Sequence, residues 1–180
     1  EELADDIGTS AVGWVVDPID GTVNFLYDLP VVSVSIAATI DGVTVAGAVC
    51  DIVRGETFSA ALGMGARRDG EPIAVRSTAT MSQALIGTGF AYSAERRREQ
   101  ASIIGRLLPA ARDIRCMGSA ALNMCWVGCG RLDGYYEQDT KPYDYAAGAL
   151  IAAEGGADVE LPKDNTYDLS IAAARSIFSE

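Results

Sequence analysis

The sequence predicts a mixed domain of the α/β (α+β) class, and two observations support this prediction. β-branched runs joined by Asp-Gly pairs fill residues 32 to about 75, which indicates an antiparallel sheet. The rest of the chain alternates strand-like and helix-like segments, an order that requires crossover connections with parallel or mixed pairing. We therefore expect a hairpin-built part followed by an alternating part.

The first strand is predicted at residues 11–16, in the sequence AVGWVV, as a short buried strand that stops at Asp17. Pro18 sets this limit, because proline disfavours helix at the preceding residue and interrupts a ladder of hydrogen bonds. Two hairpins follow. The first is predicted from the Asp-Gly pair at 41–42, which lies between two β-branched runs, and the second from another Asp-Gly pair at 69–70.

The second half begins with a predicted helix over residues 93–111, with Ser93 as N-cap and apolar residues at helical spacing. Its Arg96-Arg97-Arg98 run is interpreted as a solvated face in preference to a binding patch. The segments DIRC and LDGYYE predict strands. The segments GSAALNMCWVGCG and DYAAGALIAAEGG are apolar all round and predict buried helices, so Trp126 is assigned to the core.

Composition limits the classes of function. The 180 residues, 49% hydrophobic and 22% charged, suit one globular domain and exclude a disordered chain. A formal charge of -11 repels phosphate backbones, so we expect no nucleic-acid partner. The apolar runs fall short of the roughly 18 residues of a membrane span, and the N-terminal EELADD lacks signal-peptide character. We therefore expect a cytoplasmic protein with no membrane partner.

The cysteines and the missing histidine exclude one kind of metal site. Cys50, Cys116, Cys125 and Cys129 lack CxxC spacing, and the chain contains no histidine, so a Cys/His zinc site is excluded. We expect four buried thiols in a reduced compartment.

A pair of carboxylates follows the first strand, in the sequence WVVDPIDGTVNF. Asp17 and Asp20 at the end of a strand can point into one crevice and bind a hard cation such as magnesium, manganese or calcium. The alternative is a capped turn, in which Asp20 caps a helix at 22–27 and Asp17 ends a strand. The motif alone leaves both alternatives open. A further acid, Asp144, opens the predicted helix 145–154, where it is an N-cap or a third ligand.

The motifs DPIDGT at 17–22 and YDxAAG at 143–148 occur in this order about 125 residues apart. Together they resemble the inositol monophosphatase family, the lithium-sensitive, magnesium-dependent phosphatases. The resemblance implies one catalytic domain over residues 1–180 with a layered αβαβα sandwich of the sugar-phosphatase type. It also implies a homodimer and a small phosphorylated polyol or sugar as substrate.

The resemblance also implies roles for particular residues. Two or three Mg²⁺ ions would be bound by four carboxylates and one main-chain carbonyl, those of Glu1, Asp17, Asp20, Asp144 and Ile19. Thr22 would orient the attacking water, acting with Asp20 and Glu1. The substrate would contact the amides of Gly21 and Thr22, the turn of Gly118, Ser119 and Ala120, and the carboxylate of Glu137.

Several of these residues could instead have purely structural or solvent-exposed roles. Glu1 and its neighbour Glu2 are also typical of solvated acids, Ser119 of a helix cap, and Glu137 of an exposed acid at a strand end. The chain departs from the family pattern in three places. The N-terminal helices of the family are missing before Glu1, Tyr143 stands where a Trp is common, and the segment 155–174 is short. For that segment, either a loop is trimmed or residues are missing.

The residues VNF after DPIDGT resemble inositol monophosphatases and related fructose bisphosphatases. We therefore expect hydrolysis of inositol 1-phosphate by a metal-activated water, without a protein nucleophile. One alternative is fructose 1,6-bisphosphate or another small sugar or polyol phosphate as substrate. Another is a non-catalytic regulatory binding protein. The intact set of acids argues against the last, since clustered carboxylates are costly to keep.

Overall fold

The computed structural model describes residues 10–77, 80–162, 169–174 and 177. The short segment 155–174 therefore lies partly outside the described residues. The strands are β1 (Val12–Asp20), β2 (Ser33–Ile40), β3 (Val43–Asp51), β4 (Glu56–Ala61), β5 (Ala66–Arg68), β6 (Glu71–Pro72), β7 (Leu85–Thr88), β8 (Asp113–Cys116), β9 (Gly134–Gln138), β10 (Ala157–Glu160) and β11 (Leu169–Ala174). The helices are α1 (Thr22–Leu26), α2 (Ala94–Leu107), α3 (Ala120–Gly128) and α4 (Pro142–Glu154).

Within the described residues the strands form two sheets. Strands β1 to β6 pair in chain order, and every pairing that joins them is antiparallel. The second sheet has the order β10-β11-β9-β7-β8, in which β7 runs parallel to β8 and to β9. The predicted antiparallel sheet and the predicted parallel pairing are both confirmed.

Both predicted hairpins are present. Asp41 and Gly42 have φ values of 50° and 77°, and Asp69 and Gly70 have φ values of 52° and 86°. Two consecutive residues with positive φ match the right-handed twist of the flanking strands, which is why Asp-Gly is favoured in such turns. These turns fix the register of β2 on β3 and of β5 on β6.

The core lies between the two sheets, where α3 and α4 pack against each other. Every residue of α3 is buried, and so are residues 146–152 of α4. Helix α2 covers the other face of the second sheet, where Leu107 packs on Ile86 and its neighbours. The described elements thus stack as sheet, helix pair, sheet and helix, and the α/β prediction is confirmed. Trp126 is 5% exposed, as expected for a core residue.

The prediction for the first strand is wrong in two respects. The strand extends to Asp20 and does not stop at Asp17, and it is largely exposed, with Trp14 68% accessible. Pro18 is tolerated because β1 is an edge strand, and the register against β2 shifts between Asp17 and Asp20. This irregular strand end carries both aspartates.

Two helix boundaries also differ from the prediction. Helix α2 ends at Leu107 instead of 111, because Pro109 has no amide proton with which to continue the helical hydrogen bonds. Its predicted cap is present, since the Ser93 hydroxyl accepts the Arg96 amide at 3.5 Å. Helix α4 starts at Pro142 instead of at residue 145, because proline is favoured at the first position of a helix.

The arginine run of α2 is not simply a solvated face. Arg96 binds Asp139 through two nitrogens, at 2.7 and 3.0 Å, and so ties α2 to the loop between β9 and α4. Arg97 donates to the carbonyls of Ala91 and Tyr92 at 3.0 and 2.7 Å. The solvated-face interpretation is therefore wrong for Arg96, whose guanidinium holds a loop.

The expectation of four buried thiols is also wrong. All four cysteines are free, but only Cys125 is buried, Cys50 and Cys129 are half-buried, and Cys116 is exposed. Cys116 ends β8, an edge strand of the second sheet, where fewer neighbours cover a side chain.

Gly47 of β3 permits close packing of α4 on the first sheet. A Cβ atom at this position would lie 2.9 Å from the Cα of Ala147. Valine at 47 must therefore push the helix away from the sheet, and we expect Gly47→Val to lower the free energy of unfolding by about 3 kcal/mol. Urea denaturation measures this loss. Ala48→Val, on the exposed face of the same strand, is the control and should leave the midpoint nearly unchanged.

In the described residues, the structure has no helix that is both long enough and apolar enough to span a membrane.

Candidate active site

Three aspartates from distant parts of the chain meet at one point. Ligand oxygens of Asp17, Asp20 and Asp144 all lie within 4.8 Å of one another. Asp17 and Asp20 come from the irregular end of β1, and Asp144 comes from the first turn of α4. The fold therefore brings these three predicted ligands together.

Asp20 lies at the N-terminus of α3. Its carboxylate accepts the Ser119 hydroxyl at 2.5 Å, the Ala121 amide at 3.0 Å, the Ser33 hydroxyl at 3.2 Å and the Ala120 amide at 3.3 Å. Burial raises the pKa of Asp20 to about 6, although the Ser119 hydrogen bond lowers it. The capped-turn alternative is wrong for Asp20, because α1 receives no side-chain cap and Asp20 accepts the amides of α3 instead.

Asp144 is the third residue of α4 and not its N-cap. Its carboxylate accepts the amide of Lys141, the N-cap residue, at 2.6 Å. Burial raises the pKa of Asp144 to about 6, and the negative charge of Asp17 raises it further. One oxygen of the Asp144 carboxylate accepts the amide at the start of the helix. From this position the carboxylate lies close to those of Asp17 and Asp20.

Asp17 closes a small turn around Pro18. Its carboxylate accepts the Ile19 amide at 3.0 Å, and desolvation raises its pKa above the ordinary value. The Ile19 carbonyl accepts the Thr22 hydroxyl at 3.2 Å. Thr22 thus begins α1 beside the carbonyl that the resemblance implies as a ligand, and its side chain is exposed.

Gly21 lets β1 turn sharply into α1. Its φ is +91°, and a Cβ here would lie 2.8 Å from the Val31 carbonyl oxygen. Only glycine satisfies both conditions at low cost. Gly21 therefore sets where Thr22 and α1 begin relative to Asp20.

The turn of Gly118, Ser119 and Ala120 begins α3 as predicted. Ser119 is the N-cap of α3, since its oxygen accepts the Leu122 amide at 3.3 Å, and its hydroxyl also reaches Asp20. Ser119 is 1% exposed and Ala120 is 7% exposed, so both lie behind the acids and not on an open surface. The helix-cap alternative for Ser119 is therefore confirmed, and the cap acts on an acid of the cluster.

Glu137 is half-buried and is not an exposed acid at a strand end. Its carboxylate accepts the Tyr135 hydroxyl at 2.7 Å. Burial raises the pKa of Glu137 to about 7, and the charges of Asp144 and Asp20 raise it as well. Glu137 therefore belongs to the same electrostatic environment as the three aspartates. Glu1 and Glu2 lie outside the described residues.

The comparisons with known proteins decide the family. A family model described as the inositol monophosphatase family matches residues 1–179. The chain belongs to the inositol monophosphatase family.

Individual inositol monophosphatase relatives support the assignment. An inositol-1-monophosphatase from Mycobacterium leprae is 53% identical over 158 residues, which are 86% of this chain and 54% of that protein. A Nus factor SuhB from Salmonella typhimurium is 39% identical over 158 residues, covering 87% of this chain and 59% of that protein. The solved structure of Mycobacterium tuberculosis SuhB has a TM-score of 0.85 at 46% identity and covers 93% of this chain and 69% of that one. The chain spans little more than half the length of these curated relatives.

The donor set of the cluster fits the metal dependence of the inositol monophosphatase family. Asp17, Asp20 and Asp144 offer only oxygen ligands, which are the donors that Mg²⁺ prefers. Burial raises the pKa of each of these carboxylates, and the like charges of the other aspartates also raise the pKa values of Asp20 and Asp144. A bound cation would relieve that repulsion, so the residues present fit a divalent metal.

Two residues that support this site of the inositol monophosphatase fold were missed by sequence reasoning. The buried Asn24 of α1 donates to the carbonyls of Val31 and Met117 at 2.8 and 2.7 Å, and so ties α1 to the turn before α3. Ser33 donates to Asp20 from β2. The available signals were an amide inside the apolar segment VNF and a small hydroxyl on the buried face of a strand.

Proposed function

We propose that this chain is the catalytic part of a magnesium-dependent phosphomonoesterase that hydrolyses inositol 1-phosphate to inositol and phosphate. The observation that carries this proposal is the meeting of Asp17, Asp20 and Asp144 within 4.8 Å. Family membership and the inositol-1-monophosphatase name of the Mycobacterium leprae relative support the substrate. Residues 1–180 would then belong to a single catalytic domain.

The proposed metal ligands are Asp17, Asp20, Asp144 and the Ile19 carbonyl, with Glu1 as a further ligand. Bound Mg²⁺, as two or three ions, would neutralise the phosphate, acidify a water molecule and stabilise the leaving alkoxide. The protein groups then have positioning roles. The hydroxyl of Thr22 lies beside the Ile19 carbonyl, where it is suited to orient the attacking water.

The hydrogen bonds around Asp20 support its role as a ligand. Donors from Ser33, Ser119 and α3 fix both oxygens of the carboxylate, so it does not need to reorganise when a charge arrives. Gly21 and Thr22 are proposed to hold the phosphate through their amides. Glu137 is proposed to accept a hydrogen bond from a hydroxyl of the substrate.

Two other functions remain as alternatives. Fructose 1,6-bisphosphate or another small sugar phosphate is the first, because one acid cluster of this kind can serve many phosphate esters. A non-catalytic regulatory protein is the second, and the Nus factor SuhB name of a 39% identical relative favours testing it. The homodimer and the cytoplasmic location stay predictions, as does lithium sensitivity. Sedimentation, cell fractionation and inhibition assays test them.

Phosphate release by the full-length protein tests the proposed function. We expect Mg²⁺-dependent hydrolysis of inositol 1-phosphate, with a higher kcat/KM than for fructose 1,6-bisphosphate. Asp20→Asn should abolish release, because it removes a charge that would hold the metal. Asp28→Asn is the control, since Asp28 is exposed and its φ of 56° is also accessible to asparagine. A wild-type protein as inert as Asp20→Asn, with a tightly bound protein partner, would favour the regulatory alternative.

A further inference from the structure

Two residues without an assigned role contact the carboxylate of Glu137. One donates a hydrogen bond to it and the other leaves the space that it occupies. The hydroxyl of Tyr135, two residues earlier on β9, donates to Oε2 at 2.7 Å. Gly89, which follows β7, lies directly under the carboxylate. Neither residue belongs to a motif of the candidate site.

Tyr135 is a fixed donor from the core. Its side chain is 1% exposed and packs in the cluster between the two sheets. Burial and the neighbouring acids raise the pKa of Tyr135 well above its ordinary value, so the phenol keeps its proton. A protonated phenol against a carboxylate can only donate, and this bond occupies one oxygen of Glu137.

Gly89 leaves the space that the carboxylate fills. A Cβ atom at Gly89 would lie 2.0 Å from Oε2 of Glu137 and 2.2 Å from Oε1. Both oxygens therefore lie over the Cα of Gly89, and any side chain there must displace them. The backbone at Gly89 is not in the left-handed region, so alanine at this position is compatible with the backbone conformation.

The loop that carries Gly89 is itself held in place by α2. Gln100, which is 3% exposed, accepts the Ala91 amide at 3.1 Å. Arg97 donates to the carbonyls of Ala91 and Tyr92. These hydrogen bonds tie the residues that directly follow Gly89 to α2.

We propose that Tyr135 and Gly89 are positioning residues that fix the Glu137 carboxylate as an acceptor for a hydroxyl of the leaving alcohol. They thereby set a preference for phosphate esters of polyols over esters of alcohols that carry no further hydroxyl. This inference rests on the proposed function, because it takes the three aspartates as the phosphate end of the site. With Oε2 engaged by Tyr135, Oε1 is the oxygen left for the substrate.

Kinetics of the full-length protein with two esters tests the inference. Inositol 1-phosphate carries hydroxyls beside the ester, whereas para-nitrophenyl phosphate carries none. We expect Tyr135→Phe and Gly89→Ala to raise KM for inositol 1-phosphate about tenfold at similar kcat. This change corresponds to the loss of one oriented hydrogen bond between Glu137 and the substrate. The kcat/KM for para-nitrophenyl phosphate should stay within about twofold of the wild type.

A matched control comes from the next residue of the same strand. Tyr136 points to the opposite face of the sheet, where it packs against the cluster of Ile86. Tyr136→Phe removes a hydroxyl from β9 without touching Glu137, so it should not change the ratio of the two kcat/KM values. A general destabilisation of β9 would instead affect both esters and both tyrosine variants.

A second measurement does not depend on activity. The pKa of Glu137, followed by ¹³C NMR of the labelled side-chain carboxyl, should rise in Tyr135→Phe, because a hydrogen bond to the charged form lowers a pKa. The positioning role would be overturned if the ratio of the two kcat/KM values did not change in Tyr135→Phe and Gly89→Ala. It would also be overturned if both kcat/KM values fell equally while the Glu137 pKa stayed unchanged. A wild type that hydrolyses neither ester would refute the proposed function instead, and the Glu137 pKa would then decide whether Tyr135 fixes this carboxylate.

Discussion

Replacement of Asp144 by asparagine is expected to reduce Mg²⁺-dependent phosphate release by about 10³-fold or more, because a ligand charge of the metal cluster is lost. The same change should make the metal-free protein more stable at pH 8, by on the order of 1 kcal/mol after allowance for partial solvent exposure. Burial and Asp17 raise the pKa of Asp144, so its ionised form is disfavoured in the folded state. Asparagine can still accept the Lys141 amide.

These opposite effects on activity and stability distinguish a metal ligand from a structural cap. Phosphate release and urea denaturation in EDTA measure them in the full-length protein. Glu95→Gln is the matched control, because Glu95 is also an acid in the first turn of a helix, is exposed, and lies in α2. If Asp144→Asn kept its activity but lost stability, Asp144 would be a helix cap only.

Metal removal is expected to make the stability of the protein fall as pH rises. Asp20 and Asp144 have pKa values near 6 and Glu137 near 7, all raised above their ordinary values. A raised folded pKa contributes stability that is present below the unfolded pKa and is lost as pH rises through the folded pKa. The metal-free protein should therefore lose on the order of 3 kcal/mol between pH 4.5 and 7.5, less than the sum of separate shifts because these titrations are coupled.

Magnesium should remove most of this loss, because the cation binds the ionised carboxylates. At a hundred times its Kd, a single ion stabilises the folded state by about 2.7 kcal/mol. Urea denaturation at several pH values, with EDTA or with Mg²⁺, gives the two profiles. The window lies above pH 4.5 because acids with lowered pKa values, such as Glu56 and Asp139, lose their stabilising effect at lower pH.

The double variant Asp17→Asn with Asp144→Asn supplies the control for this pH effect. Without the charges of Asp17 and Asp144, the EDTA profile should be shallower, because burial alone still raises the pKa values of Asp20 and Glu137, and Mg²⁺ should have little effect. A metal-free wild type whose stability is constant from pH 5 to 8 would contradict the expected repulsion among the three aspartates.

Local chemistry was enough to predict much of the fold. The Asp-Gly turns at 41–42 and 69–70 need two residues of positive φ, and few sequences meet that need, so the hairpins were predictable. Helix α3 was predictable because it is apolar on every side, as a helix between two sheets must be. These are cases in which a few neighbouring residues determine the structure.

Burial at the sheet edge was not predictable in the same way. Trp14 and Val16 are apolar, yet they are exposed in the described structure, because β1 is an edge strand and the order of strands is set by distant pairings. Cys116 was placed in the core for the same wrong reason. Residue type alone does not report which strand is at the edge.

Some residues of the candidate site could be predicted from local sequence and others could not. Asp17, Asp20 and Asp144 belong to motifs, and their convergence could be expected from the family resemblance. Tyr135 and Gly89 could not, because their contacts with Glu137 depend on how β7 and β9 pair in parallel. A tyrosine inside a strand ordinarily indicates only packing.

The hydrogen bonds of Asp20 to the start of α3 have one more consequence. The amide protons of Ala120 and Ala121 point at a carboxylate whose charge depends on pH and on cation occupancy. Their NMR chemical shifts and deuterium exchange rates would therefore report the state of the acid cluster from the first turn of a buried helix.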